Sequence, residues 1–214
     1  MKQTFTRLRR GVMLLFSTLL IQQATLAQTT YTQGFDVAGN WGGTAPLTGY
    51  NTDRTYAEPG QPVVFACSNA ALRETQAITT GVNSTYNPST YAWRIQNSGT
   101  GSWTATVGAG GVGTFSFWVR PWNTSALSYE VEYSTNNGGS WTAVQSINQT
   151  FFSNTVQWLQ VSGTINTGNG PGAADDIIIR VRRVSGERLM IDQFEMTDFF
   201  FFQAEDGIRD LTVT

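Results

Sequence analysis

Two glutamates have the residue type and the spacing that acid–base chemistry needs. Glu130 and Glu132 alternate within the run LSYEVEYST, which places both carboxylates on one face of a strand, about 6.5–7 Å apart. That separation overlaps the range of an inverting glycosidase pair. The acid pattern that these residues resemble in glycosidases of sandwich fold has a third acid further along the strand, where Ser134 stands here.

The alternative for these glutamates is a solvated strand face on which they pair with arginines of neighbouring strands. The candidate partners are Arg120, Arg180 and Arg182. We favour this interpretation, because exposed charge pairs are ordinary and a catalytic pair also needs one raised pKa. The sequence therefore predicts no catalytic residue and a protein that is not an enzyme.

A second group combines aromatic rings with a guanidinium near the end of one strand. Trp118, Arg120 and Trp122 are of the types that a sugar-stacking or peptide-binding surface uses. The alternative is that Trp118 packs against a second layer or under a loop, since most tryptophans are largely buried. The candidate ligand-binding residues are Trp118, Arg120, Trp122, Glu130, Glu132, Arg180 and Arg182.

Metal and thiol chemistry have little support. The sequence contains no His and one Cys, so Cys67 has no disulfide partner and is expected to be a small buried apolar residue. Asp192 falls on an apolar face and needs a partner. Either a β-bulge or backbone hydrogen bonds satisfy it, or it helps to bind a structural calcium with loop oxygens such as those of Asp36 or Asp175. No cofactor is required, and a structural calcium stays open.

Composition and charge exclude a nucleic-acid-binding role. Charged residues make up 13% of the chain. Residues 28–198 contain eight Arg and no Lys against twelve acidic residues, a net charge of −4. A basic footprint for phosphate contacts is therefore absent from this stretch of sequence.

The two ends of the chain do not read as parts of the domain. Residues 1–27 have the basic, apolar and small-residue regions of a signal peptide with cleavage after Ala27, and their apolar stretch is too short for a membrane span. Residues 199–214 contain QAEDGIRD, which resembles a translated sequencing adapter. We expect export to the extracellular space or cell surface, and downstream domains of a larger parent protein beyond residue 198.

Short apolar-alternating runs separated by turn residues predict an all-β domain over residues 28–198. The candidate strands are Val63–Ala66, Leu72–Ile78, Tyr91–Asn97, Trp103–Val107, Gly113–Arg120, Leu127–Thr135, Trp141–Ile147, Val156–Val161, Asp176–Val184 and Arg188–Thr197. Asn136 to Gly139 supply the turn of a hairpin. The region from Asp36 to Gly60 is expected to be mostly irregular. The spacing favours an antiparallel β-sandwich of jelly-roll (concanavalin-like) type, in a single domain.

Two resemblances accompany this pattern. The segments GTFSFWVRPWN, YEVEYSTNNGGSWT and IIIRVRRVSGERLMIDQFEMTDF resemble the jelly-roll accessory domains of secreted Bacteroidetes-type proteins, in the style of the choice-of-anchor and cleaved-adhesin families. STNNGGSW is similar to the Asp-box hairpin of sialidases with Asn in the Asp position, and its single occurrence indicates a fold device rather than a propeller blade. The first resemblance implies an adhesive or carbohydrate-binding module.

Three functional hypotheses follow from the sequence. The leading one is a non-catalytic binding module for carbohydrate or a cell-surface partner. The second is a structural spacer, which would bury Trp118 and Trp122 fully and leave no groove on either sheet. The third is a divergent glycoside hydrolase that uses Glu130 and Glu132.

Overall fold

The computed structural model describes residues 29–42, 53–68, 70–74, 86, 91–108, 110–168 and 176–199. The predicted signal peptide, all but one residue of the adapter-like tail, residues 75–78 of one candidate strand and Asp175 lie outside the described residues. Within these ranges the chain is all-β apart from one short 3-10 turn at Ala38–Asn40.

The described residues form thirteen strands. They are β1 (Thr30–Gln33), β2 (Trp41–Gly42), β3 (Asp53–Ala57), β4 (Val63–Ser68), β5 (Ala70–Glu74), β6 (Tyr91–Ile95), β7 (Ser102–Val107), β8 (Val112–Pro121), β9 (Leu127–Ser134), β10 (Thr142–Asn148), β11 (Leu159–Thr167), β12 (Ile177–Gly186) and β13 (Leu189–Thr197).

These strands build two sheets that pack face to face. Sheet A has the order β11-β8-β13-β6-β5, and β1 pairs with the second half of β13. Sheet B has the order β10-β9-β12-β7-β4-β3-β2. The pairings between the described strands are antiparallel, and the fold is a jelly-roll β-sandwich, which confirms the predicted fold class.

Alternation along each strand decides what enters the core between the sheets. Along β8, Phe115, Phe117 and Val119 are buried in the core, while the residues between them point to the outer face. Along β9, Tyr129 and Val131 do the same for sheet B. Burying an aromatic or aliphatic side chain of this size stabilises the fold by about 1.5–3 kcal/mol.

One end of the core is a cluster of aromatic rings around Phe35. Its ring meets those of Tyr56, Phe65 and Trp93 edge to face at centroid distances of 5.4, 4.9 and 5.8 Å. Trp41 closes the cluster and donates its indole N–H to the Phe35 carbonyl at 2.8 Å. Cys67 is buried in the same core, as the sequence predicted.

The structure differs from the predicted strands in several places. The region expected to be irregular contains β2 and β3, because Tyr56 and the Arg54 aliphatic stem turn inward while Thr55 and Ala57 face solvent. β1 was not predicted at all. β11 begins at Leu159 and continues to Thr167, later at both ends than Val156–Val161.

The predicted hairpin joins β9 and β10 through a loop organised by Asn136. Its side-chain oxygen accepts hydrogen bonds from the Ser140 backbone N–H (2.9 Å) and the Ser134 hydroxyl (2.9 Å). The Ser134 Oγ in turn accepts the Gly138 N–H at 2.8 Å. Asn137 and Gly138 have φ angles of 52° and 83°, which Asn and Gly tolerate. The Asp-box-like segment is therefore a turn device.

Within the described part of the chain, no helix has the length and apolar character needed to cross a membrane.

Candidate functional site

The outer face of sheet A is organised in rungs that run across the strands. Because antiparallel register places residues directly opposite one another, side chains from neighbouring strands line up side by side. Four rungs follow one another along the strands: Thr30, Thr197, Thr114 and Thr164; Thr32, Glu195, Ser116 and Ser162; Asp192, Trp118 and Gln160; and Arg94, Met190 and Arg120. The two halves of this face differ in chemistry.

The half made by the first two rungs and Gln160 is an open polar groove of about 450 Å³. Its lining residues are Thr30, Thr114, Phe115, Ser116, Gln160, Ser162, Gly163, Thr164, Glu195, Met196 and Thr197. Short hydrogen bonds fix several of these groups. The Thr114 and Thr197 hydroxyls lie 3.0 Å apart, and Gln160 Nε2 donates to Ser116 Oγ at 3.1 Å. The groove thus offers ordered hydroxyl and amide groups to solvent.

Trp118 stands beside the groove on the same face of β8, two residues after Ser116. It is partly buried, and its ring stacks on that of Tyr86 with centroids 4.6 Å apart and an interplanar angle of 10°. Tyr86 also meets Trp158 edge to face at 5.2 Å. Tyr86, Trp158 and Met190 form a small buried cluster outside the main core, so Trp118 lies at the margin between covered and open surface.

The last rung is buried and cationic. Arg94 and Arg120 flank Met190 across three adjacent strands and are 1% and 3% exposed. Burial lowers the pKa of the Arg120 guanidinium from its usual value. The Trp122 ring covers this end, with the Arg94 and Arg188 guanidinium carbons 5.1 and 6.0 Å from its centroid.

Asp192 is completely buried on this same face. Its Oδ1 accepts the Gln193 backbone N–H at 2.8 Å, and burial together with the negative charge of Asp192 raises the pKa of the Tyr86 hydroxyl. Gln193 has a φ of 41° and sits where the β13–β8 register shifts. This bulge, which was one of the two predicted alternatives, turns Phe194 and Met196 back into the core.

The other alternative for Asp192, a structural calcium, finds no support within the described ranges. No group of three or more His, Cys, Asp or Glu side chains suited to a metal ion occurs there. Asp36, one proposed partner, accepts the Tyr91 backbone N–H at 3.1 Å. Asp175 lies outside the described residues.

The outer face of sheet B holds the two glutamates. Glu132 is 8% exposed and binds Arg180 and Arg182, with Oε1 2.7 Å from Arg180 Nη2 and 3.0 Å from Arg182 Nε. The Arg180 guanidinium lies 3.4 Å above the Trp141 ring. Glu130 accepts a hydrogen bond from the Ser146 hydroxyl. Glu132 therefore pairs with Arg180 and Arg182, two of the partners that the sequence suggested for the glutamates.

The predicted site residues thus fall on opposite sides of the sandwich. Trp118, Arg120 and Trp122 lie on or beside the outer face of sheet A. The remaining four, Glu130, Glu132, Arg180 and Arg182, lie on the outer face of sheet B. Arg120 was wrong as a partner for the glutamates, because β8 belongs to the other sheet, and its guanidinium is buried rather than presented to solvent.

Sequence reasoning missed the groove residues Ser116, Gln160, Ser162 and Glu195. A signal for them exists. The polar residues Thr114 and Ser116 alternate with core phenylalanines, and Gln160, Ser162 and Thr164 alternate in the same way along β11. Polar residues on alternate positions of two paired strands indicate a solvated sheet face, but only the register shows that they meet.

Comparisons with known proteins find similarity of fold at low sequence identity. No protein-family model matches the sequence, and no curated protein matches it. The K1 cleaved adhesin domain of Lys-gingipain from Porphyromonas gingivalis W83 is similar in structure, with a TM-score of 0.42, 14% identity, and 78% of this chain and 97% of that chain covered. The C-terminal family 22 carbohydrate-binding module of Clostridium thermocellum Xyn10B has a TM-score of 0.44, 13% identity, and coverage of 79% and 92%.

Proposed function

We propose that this chain is a non-catalytic binding module that works outside the cell and holds a carbohydrate on the outer face of sheet A. The observation that supports this is the open groove of about 450 Å³ lined by hydroxyl and amide groups beside the Trp118 ring. Sugars present many hydroxyls and one or more apolar ring faces. Ordered polar groups next to an aromatic ring match both features.

The arrangement is also preorganised, which favours binding. The Gln160–Ser116 and Thr114–Thr197 contacts hold the polar groups in place before a ligand arrives. Tyr86 supports the Trp118 ring from one side through the stacked contact at 4.6 Å. Side chains that are already ordered lose less conformational entropy on binding, so more of the contact energy is available for affinity.

The groove and the partial exposure of both tryptophans argue against the spacer hypothesis. A spacer would bury Trp118 and Trp122 fully, whereas both rings are only partly buried against the outer cluster. The groove lies on the same face of the same sheet. A glycosidase uses a pair of carboxylates, whereas Glu195 is the only charged residue that lines this groove.

A glycan array probed with the full chain tests the proposal. We expect binding to at least one polysaccharide, weakened about 30-fold by Trp118→Ala, because tryptophan is among the residues whose truncation at a binding interface costs about 2 kcal/mol or more. Gln160→Ala should weaken the same binding several-fold, since Gln160 is exposed in the groove.

Two matched controls lie on the opposite face. Trp141→Ala removes a partly exposed tryptophan from the outer face of sheet B, and Ser146→Ala removes a serine that is hydrogen-bonded across two strands, as Ser116 is. Neither should change glycan binding. A folded wild-type chain that binds no glycan, or binding that survives Trp118→Ala and Gln160→Ala unchanged, would overturn the proposal.

A further inference from the structure

The charge of the groove limits the class of carbohydrate that the groove can bind. The groove is lined by four threonines, two serines and one glutamine, together with Glu195 as its only charged residue. Glu195 lies in the second rung, directly opposite Ser116 on β8 and Thr32 on β1. A ligand laid across the rungs therefore passes over a carboxylate near the centre of the surface.

The orientation of Glu195 is fixed by its neighbour. Gln193 Nε2 donates to Glu195 Oε1 at 2.9 Å. The side chain of this bulge residue therefore restrains the position of the carboxylate. This contact brings no positive charge. The three salt bridges among the described residues involve Arg180, Arg182 and Arg188, and none includes Glu195.

The other charges of this face do not neutralise Glu195 at the groove. The nearest rung contains Asp192, which is another acid. The Arg94 and Arg120 rung is two rungs away, about 13 Å by strand rise, and both residues are buried, with the Trp122 ring over the Arg94 guanidinium. Since the Debye length at physiological salt is about 8 Å, an exposed ligand in the groove meets Glu195 first.

We propose that the groove selects uncharged glycans and rejects polyanionic ones, and that Glu195 is the residue that makes this selection. The inference rests on the proposed function. A uronate or sulfate group above Glu195 places two like charges in contact, which destabilises the complex. A neutral sugar at the same position donates a hydroxyl hydrogen bond to the carboxylate, and hydrogen bonds to charged groups are stronger than neutral ones.

The test compares glycans that share a backbone and differ in charge. The probes are cellohexaose with its hexaglucuronate counterpart, and β-1,4-mannohexaose with β-1,4-mannuronate hexamer, each titrated into the full chain by isothermal calorimetry at 20 mM and 500 mM salt. We expect the neutral member of a bound pair to bind at least about tenfold more tightly at low salt, and the ratio to shrink at high salt.

Glu195→Gln keeps an oxygen that accepts from Gln193 and removes the charge. It should reduce the ratio of the neutral-glycan affinity to the acidic-glycan affinity to a value of about 1–3, and this ratio should no longer depend on salt. The matched control is Glu130→Gln, a partly buried glutamate on the outer face of sheet B, which should leave the ratio unchanged.

The outcomes separate the two proposals. Uronate binding equal to or tighter than neutral binding, or a ratio that Glu195→Gln does not change, overturns the role of Glu195 while binding lost in Trp118→Ala still supports the proposed function. If the folded chain binds no neutral or acidic glycan of the array, both proposals fall.

Discussion

The two outer faces of the sandwich differ in how deeply they bury charged side chains. On sheet A, Asp192, Arg94 and Arg120 are almost fully buried beside Tyr86 and Trp158, and the polar groove opens next to them. On sheet B, Glu132 is itself buried but binds Arg180 and Arg182, whose side chains are partly exposed. Charge is therefore enclosed beside an open groove on sheet A, whereas on sheet B it is paired at the boundary with solvent.

The largest expected difference between the faces concerns stability at Asp192. Asp192→Ala removes the acceptor of the Gln193 backbone N–H at a completely buried position and leaves that donor without this partner. We expect a loss of about 2–3 kcal/mol in the free energy of unfolding, measured by urea denaturation. Asp192→Asn retains one acceptor oxygen and should lose less. Equal stability of Asp192→Ala and wild type would contradict a structural role for this carboxylate.

A second difference appears at alkaline pH. Burial and Asp192 raise the pKa of Tyr86 above the value of 10 expected in the unfolded chain. The stability that this gives is fully present below pH 10 and is lost as the pH rises toward the folded-state pKa, by up to about 1.4 kcal/mol per pH unit. The free energy of unfolding should therefore fall between pH 10 and 11, and less steeply in Tyr86→Phe. Identical slopes for the two proteins would exclude Tyr86 as a cause.

The smallest effect is expected on sheet B. Glu132→Gln loses ion pairs with Arg180 and Arg182, whose side chains are 23% and 41% exposed. Solvent screens the partly exposed arginines, and the amide oxygen that replaces the carboxylate still accepts from them, so we expect a loss of about 1 kcal/mol, and about zero for Glu130→Gln. Thermal unfolding at low and high salt measures both. A loss for Glu132→Gln that matches Asp192→Ala would remove the distinction between the two faces.

Much of the fold could be predicted because alternation along a strand is a local property. The face assignments of Phe115, Phe117, Tyr129 and Val131 follow from the sequence and agree with the structure. β3 was missed because its sequence, DRTYA, has one strongly apolar residue, and the stem of Arg54 takes the place of another in the alternation. Pairing with β4 supplies what the local pattern lacks.

The candidate site was harder to predict because it depends on register between distant strands. Ser116, Ser162 and Glu195 are far apart in sequence and share a rung only through the pairing of β8 with β11 and β13. The bulge at Gln193 decides that Asp192 faces outward while Phe194 faces inward. Alternation assigns Trp118 and Glu132 each to an outer face, but it does not say that these faces belong to different sheets.

The most direct measurement is a ¹H–¹⁵N NMR titration of the full chain with whichever of cellohexaose or β-1,4-mannohexaose binds in calorimetry. The account predicts saturable shifts that concentrate on the outer-face residues Ser116, Gln160 and Ser162 and on the Trp118 indole N–H, with those of Glu130, Trp141 and Arg180 unchanged. Saturable shifts on the outer face of sheet B, or none on sheet A, would contradict it.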